Sequence, residues 1–447
     1  MNLLCISNGH GEDAIAMRIL SALRQQSADI QIAALPISGT GQPYRSDANI
    51  DIIGPTQTLP SGGFLNRDPK QLARDMQGGL ISLTRAQLRA IKAWTQKSSQ
   101  QFATIVKQNA RQGNNTPESQ PLKPQILAVG DIVPLIFSHR TGLAYHFIGT
   151  AKSEYWLQNE QTNPSNKKLW DRVEGWSGSV YLPWERWLMN RPQCRSLFVR
   201  DALTAERLQT LGIKAQYEGN PMMDGLTPTG KLDKLFTELN QSQPSYQNAF
   251  VITLIPGSRP PEAYTNWATI LKTIPSLIAA FPDRPLILLG AIAPNLIIND
   301  LPFPLTPDTP EPWTRLTLRS SYQAYTRSNI TLIPTQNAYT DCLHKADIAI
   351  ATAGTATEQL VGLGKPAITL PGPGPQFTYP FALVQAKMLG PSVQIVENPE
   401  NVGSAIAQTM NDPDRLRAIA TNGKQRMGES GAAQRIANQL LKSAQPA

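Results

Sequence analysis

Two short stretches of the 447-residue chain carry residue types suited to holding a diphosphate, each just after a segment that reads as a strand. In "LIPGSRPPE", Leu254–Glu262, Pro256 and Gly257 end the strand, and Ser258 and Arg259 stand at its carboxyl end. Arginine is a fixed cation suited to phosphate oxygens, and Ser258 could add a hydroxyl or backbone donor. The alternative is a surface turn with a solvated arginine. "IATAGTATEQLVGLGKPAITLPGPG", Ile350–Gly374, contains a strand ending at Ala351, a tight loop, a helix from about Thr355 to Leu363 and a strand Lys365–Leu370. The first turn of a helix has unpaired N–H groups and the positive end of the dipole. Gly354 permits close approach, while Ala353, Thr355, Ala356 and Thr357 are small enough to leave room for phosphate oxygens. Glu358, one turn later, could reach a ribose diol. Thr355-x-x-Glu358 also spells a capping box, in which both side chains serve only their own helix. That reading is favoured for the segment alone. Two such loops in one domain point instead to a nucleoside diphosphate held between Arg259 and Gly354–Thr357.

Two other glycine-rich stretches are weaker. "SNGHGEDA" places Gly9, Gly11 and Ala14 at the dinucleotide-fingerprint spacing. An acid should then end the second strand to hold the ribose, but that strand ends "LPIS", which argues against NAD or FAD. A plain tight turn remains, as does a turn holding a substrate beside His10 and Glu12. "GLTPTGKL", Gly225–Leu232, nearly spells a phosphate-binding P-loop, but Leu232 replaces the magnesium-binding hydroxyl. It reads as linker.

These loops need strands and helices to position them. Strand and helix patterns alternate twice, for example in "NLLCIS" followed by Ile15, Ile19, Leu20 and Leu23 at helical spacing. This predicts two doubly wound α/β domains, with ligands at the carboxyl ends of strands. The expected organisation is a domain over 1–225, a polar linker over 226–248, a second domain over 249–400 and helices over 401–447.

Apolar residues make up 41% of the chain and charged residues 17%, a composition able to bury sizeable cores. The formal charge of +8 permits an anionic partner. Cys5, Cys194 and Cys342 form no Cys-x-x-Cys, and the four histidines are scattered, so neither a disulfide framework nor a metal site is expected. The opening "MNLLCIS" lacks a basic leader, and no apolar run is long enough to span a bilayer. The expectation is a cytoplasmic protein, peripheral to a membrane.

"LIPGSRPPE", "EGNPMMDG" and "ATAGTATEQLVGLGKP" together resemble the corresponding stretches of lipid-A-disaccharide synthases, and the chain looks most like the cyanobacterial proteins related to them. The resemblance covers roughly the carboxyl-terminal half. It implies a GT-B glycosyltransferase: two Rossmann-like domains facing a central cleft, with a UDP-sugar as co-substrate and no separate cofactor. It also implies metal-independent transfer with inversion to a lipid or amphiphilic acceptor.

By position, Gly257, Ser258 and Arg259 would bind the donor diphosphate together with Gly354, Thr355, Ala356 and Thr357. Glu358 would hold the ribose. Asp131 falls where the family has an acid after an acceptor-domain strand, which makes it the candidate base; capping that strand end is its alternative. His10 and Glu12 are further catalytic candidates, and Gly9, Gly11, Gln376 and Gln385 are acceptor-side candidates. The chain departs from the family after Gly11-Glu12, where "DAIA" replaces Ser-Gly-Asp, and in "PGPGPQFTYPFALVQAKMLG". A sugar-nucleotide epimerase on the same fold and a non-catalytic nucleotide-binding scaffold remain alternatives.

Five of eight tryptophans lie between Trp156 and Trp187, among Lys167, Lys168, Arg172, Arg186 and Arg191. Aromatics with cations suit an anionic membrane interface. "LPSGGFLNR", with Phe64 and Leu65, is a second candidate contact. Core packing or filling of the acceptor cleft is the competing reading. No RNA-module signature is present, so nucleic acid is not expected as a partner.

Overall fold

The computed structural model describes residues 1–9, 11–59, 69–112, 121–158, 177–242, 244–302, 312–372, 374 and 377–444. The chain divides into two compact units, residues 1–224 with 429–447, and residues 225–428.

The first unit is a parallel sheet of β1 (Asn2–Ser7), β2 (Gln31–Pro36), β3 (Ile50–Ile52), β4 (Gln125–Gly130), β5 (Ala144–Gly149), β6 (Cys194–Val199) and β7 (Ala215–Gln216). Their order is β3-β2-β1-β4-β5-β6-β7. Both faces are covered, so its central strands are almost continuously apolar, as in Leu3–Ile6 and Ile126–Val129. The helix Gly11–Gln26 buries Ile15, Ile19, Leu20 and Leu23, the spacing expected from sequence.

The second unit contains β8 (Phe250–Ile255), β9 (Leu286–Ala291), β10 (Thr314–Leu316), β11 (Ala324–Arg327), β12 (Ile330–Thr335), β13 (Ile348–Ala351), β14 (Ala367–Thr369) and β15 (Val393–Ile395). The order is β10-β11-β12-β9-β8-β13-β14-β15, parallel except for the β10-β11-β12 edge. Alternate residues feed two cores. Phe250, Ile252 and Leu254 pack on one face with Trp267, and Val251 packs on the other with Ile287 and Leu289.

Two stretches differ from expectation. Residues 226–248 carry a helix, Asp233–Ser242, whose Leu235 and Leu239 join the second unit's core. The P-loop-like turn is already filled by a carboxylate: Asp341 accepts from Thr229 N–H at 3.1 Å and Gly230 N–H at 2.7 Å. Lys231 donates to Asn337 O at 2.7 Å. Residues 401–447 also do not stay together. Helices Val402–Met410 and Pro413–Met427 belong to the second unit, whereas Ala432–Ala444 packs on Gly11–Gln26 in the first. Asp224 of "EGNPMMDG" anchors that return by accepting from the N–H groups of Gly431, Ala432 and Ala433. Among the described residues no helix is long and apolar enough to cross a membrane.

Candidate functional site

In an open α/β sheet, ligands bind outside the carboxyl ends of the strands where the order reverses. In the second unit that point lies between β8 and β13, since β9 follows β8 on one side and β13 flanks it on the other. The loops leaving these two strands are the two picked out by residue type. Thr352 N–H donates to Ile255 O at 2.9 Å, so the loops start side by side.

Gly257 has φ +95°, a backbone that side chains rarely adopt, and it lets the chain turn sharply off β8. Asn266 donates to Pro256 O at 3.1 Å and Asn295 to Ser258 O at 2.7 Å, which pins the loop from two sides. Ser258 is left exposed and Arg259 half-buried.

Across the switch point, the helix Thr355–Gly362 has Gly354 as its N-cap, and no side chain caps it. Thr355 is therefore the first helical residue, so the capping box that Thr355-x-x-Glu358 spells does not form. A short exposed N-terminus with uncapped N–H groups is suited to an anion. The Thr357 side chain turns inward and donates to Ala353 O at 2.6 Å, so only its backbone faces the turn. Glu358 is buried in the first turn. Gln385, expected near the acceptor, is instead buried under the turn and donates to Gly354 O at 2.9 Å.

In the first unit the order reverses between β1 and β4. Gly9, Gly11 and Glu12 follow β1, and Asp131 follows β4. Asp131 N–H donates to Asn8 Oδ1 at 2.9 Å, joining the loops. Gly130 is required at this point: its φ is +135°, and a Cβ there would lie 1.9 Å from Asn8 Oδ1. Asp131 caps the helix Ile132–His139, accepting from Val133 N–H at 2.8 Å. Burial pushes its carboxyl above the usual aspartate range, while the Val133 N–H, the Asn8 side chain and the Lys152 charge oppose the shift. A raised carboxyl is a better proton acceptor near neutral pH. The cap and a basic role are therefore compatible. Glu12 is buried in the next helix, with Thr150 Oγ1 3.4 Å from its Oε1. His10 and Gln376 lie outside the described residues.

Polar residues that the sequence did not single out stand at the same edge of this sheet. After β5, Lys152 pairs with buried Glu185 at 2.6 Å, and Glu185 also accepts from Leu182 N–H at 2.7 Å. After β6 come buried Arg200 and Asp201; Asp201 caps the helix Ala202–Thr210. A signal was present for Arg200 and Asp201, which directly follow the apolar end of β6, but not for the Lys152–Glu185 pair, whose members lie far apart in sequence. No group of His, Cys, Asp and Glu able to hold a metal occurs among the described residues.

The helix Pro183–Met189 exposes Trp184 and Trp187, 54% and 53% accessible. Arg191 stacks over Trp187 at 4.6 Å, and His139, at the far end of the helix that Asp131 caps, meets Trp187 edge-on at 5.5 Å. Trp156 instead packs against the core. Phe64, Leu65, Lys167, Lys168, Trp170, Arg172 and Trp176 lie outside the described residues.

No family model matches the chain. No curated protein matches it either. The resemblance to lipid-A-disaccharide synthases in particular therefore gains no support. Among solved structures, the calicheamicin glycosyltransferase CalG4 is similar at 15% identity, with a TM-score of 0.53 over 99% of this chain and 98% of that one. MurG of Acinetobacter baumannii has 13% identity and a TM-score of 0.48, covering 99% of each chain. The UDP-GlcNAc 2-epimerase of Neisseria meningitidis, bound to UDP-GlcNAc, has 16% identity and a TM-score of 0.46, covering 99% of this chain and 100% of that one. The likeness to CalG4 shows the fold, the two-domain α/β fold of GT-B type. Similarity at this level identifies the fold and leaves the reaction to the chemistry of the site.

Proposed function

We propose that the second unit binds a nucleotide sugar, UDP-linked, and that the protein transfers the sugar to a hydroxyl of a lipid or amphiphilic acceptor. The observation that carries this reading is the pairing of the Arg259 loop with the uncapped helix at Gly354, both at the switch point of one sheet. Arg259 and the first-turn N–H groups of Thr355, Ala356 and Thr357 suit the two phosphates, and Glu358 suits the ribose. Asp131 takes the proton from the acceptor hydroxyl. The acceptor oxygen then bonds to the anomeric carbon as the bond to the diphosphate breaks, and UDP leaves with the electron pair. Cationic and helix-dipole stabilisation of that leaving group is the main electrostatic demand.

The amphiphilic acceptor is supported by the exposed Trp184 and Trp187 beside Arg191, on the unit that carries Asp131. The same face suits attachment to the cytoplasmic side of an anionic membrane. The test is product analysis with UDP-sugars and amphiphilic alcohols. Glycosylated acceptor with stoichiometric UDP supports transfer. An untransferred, epimerised sugar would assign the epimerase chemistry instead, and the absence of any turnover would leave a binding protein.

A further inference from the structure

Gln385 and Phe381 lie four residues apart on the helix Tyr379–Leu389, and both therefore project from one face. That face lies under the Gly354 turn. Gln385 Nε2 donates to Gly354 O at 2.9 Å and to Ala353 O at 3.4 Å. The Phe381 ring stands 3.4 Å from the point where a Cβ on Gly354 would be.

The turn does not need the amide for its own satisfaction. Gly354 O already accepts from Glu358 N–H at 3.2 Å, and Ala353 O from the Thr357 hydroxyl at 2.6 Å. The glutamine also carries a cost: it is 1% exposed, and its Oε1 is buried with no partner. A buried acceptor left unpaired is unfavourable, and an apolar side chain of similar shape would avoid that penalty. Packing and stability therefore argue for methionine or leucine at this position.

Orientation is what the amide adds. In a trans peptide the C=O and the following N–H point in opposite directions. Drawing the Ala353 and Gly354 carbonyls toward Gln385 thus aims the N–H groups of Gly354 and Thr355 away from it. Phe381 covers the turn from the helix side.

We propose that Gln385 is a positioning residue for diphosphate binding: it fixes the peptide planes of Ala353 and Gly354 so that their outward N–H groups meet the phosphates. This rests on the donor-site reading above. The probe is UDP, titrated calorimetrically into the full chain and its Gln385→Met and Gln385→Glu variants at pH 8 and pH 5.5, with urea midpoints measured alongside. The expected result for Gln385→Met is about tenfold weaker binding at both pH values, with a midpoint equal to or above wild type. Gln385→Glu should bind weakly at pH 8. At pH 5.5 it should recover toward the wild-type affinity at that pH, because a buried carboxyl with a raised pKa regains a proton to donate. Wild-type binding matched by Gln385→Met overturns this inference and leaves the donor site standing. So does weaker binding in step with a lowered midpoint, which would mark a structural anchor, or a glutamate variant that shows no recovery at pH 5.5. Failure of the wild-type chain to bind UDP overturns the donor-site reading and this inference with it.

Discussion

Thr352 N–H donates to the Ile255 carbonyl at 2.9 Å, tying the residue after β13 to the last residue of β8. Through this contact two loops almost a hundred residues apart in sequence begin at one place. Each loop alone is ordinary α/β punctuation. Side by side at the switch point they place a cation near a helix N-terminus, a pairing suited to a diphosphate.

The P-loop-like stretch makes the contrasting prediction. Its N–H groups are taken by Asp341, and Lys231 is engaged by Asn337 O. Lys231→Ala should leave UDP affinity within about twofold of wild type by calorimetry. A large loss would move the phosphate site to that turn.

Asp131→Asn separates the two roles of Asp131. Asparagine caps a helix about as well as aspartate, so the thermal midpoint should stay near wild type. Loss of a positioned base typically costs about 10²–10⁴-fold in rate, and kcat should fall within that range. Because burial raises the Asp131 carboxyl, the wild-type rate should fall off on the acid side at a pH above that of an ordinary aspartate, and recover as pH rises. A variant with undiminished kcat would reduce Asp131 to a cap.

Much of this was legible in the sequence. The apolar strands β8 and β13 run into short loops rich in glycine and small residues, which marked both candidate loops, and the helical spacing of Ile15, Ile19, Leu20 and Leu23 matched the observed helix. What escaped were pairings between distant residues. The capping box failed by a single residue, because Gly354 rather than Thr355 ends the turn, and a local motif does not distinguish the two. Gln385 looked like a polar residue available to an acceptor, since only tertiary packing buries it beneath Gly354. The Lys152–Glu185 pair joins the loop after β5 to the helix Pro183–Met189, and the last helix returns to the first unit through Asp224. No local periodicity encodes either contact.

Acid stability should report a buried histidine. His146 on β5 lies 2.7 Å from Gln125 Oε1, and burial, with the Arg195 charge, pushes it down to about 4. The folded state keeps it neutral, whereas the unfolded chain protonates near the ordinary value of 6.5. Its contribution is therefore fully present above pH 6.5 and is lost as pH falls toward 4. By linkage the loss is about 2 kcal/mol at pH 5 relative to pH 8. Urea unfolding at the two pH values should show that drop, and His146→Gln should flatten it. An unchanged slope in the variant would assign the acid sensitivity elsewhere.

Membrane attachment is tested by flotation with vesicles containing anionic lipid at low salt. The wild-type chain should float, and Trp184→Ala with Trp187→Ala should remove most of the bound fraction without changing UDP affinity. High salt should weaken the interaction by screening. A wild-type chain that stays at the bottom of the gradient contradicts a membrane role for this face.

The most direct test of the donor site is calorimetric titration of UDP into the wild-type chain and Arg259→Ala. The account predicts saturable binding by the wild type and about a 10–100-fold loss in the variant, the scale of one hydrogen bond to a charged group. Equal affinity in the two proteins, or no binding by either, would contradict it.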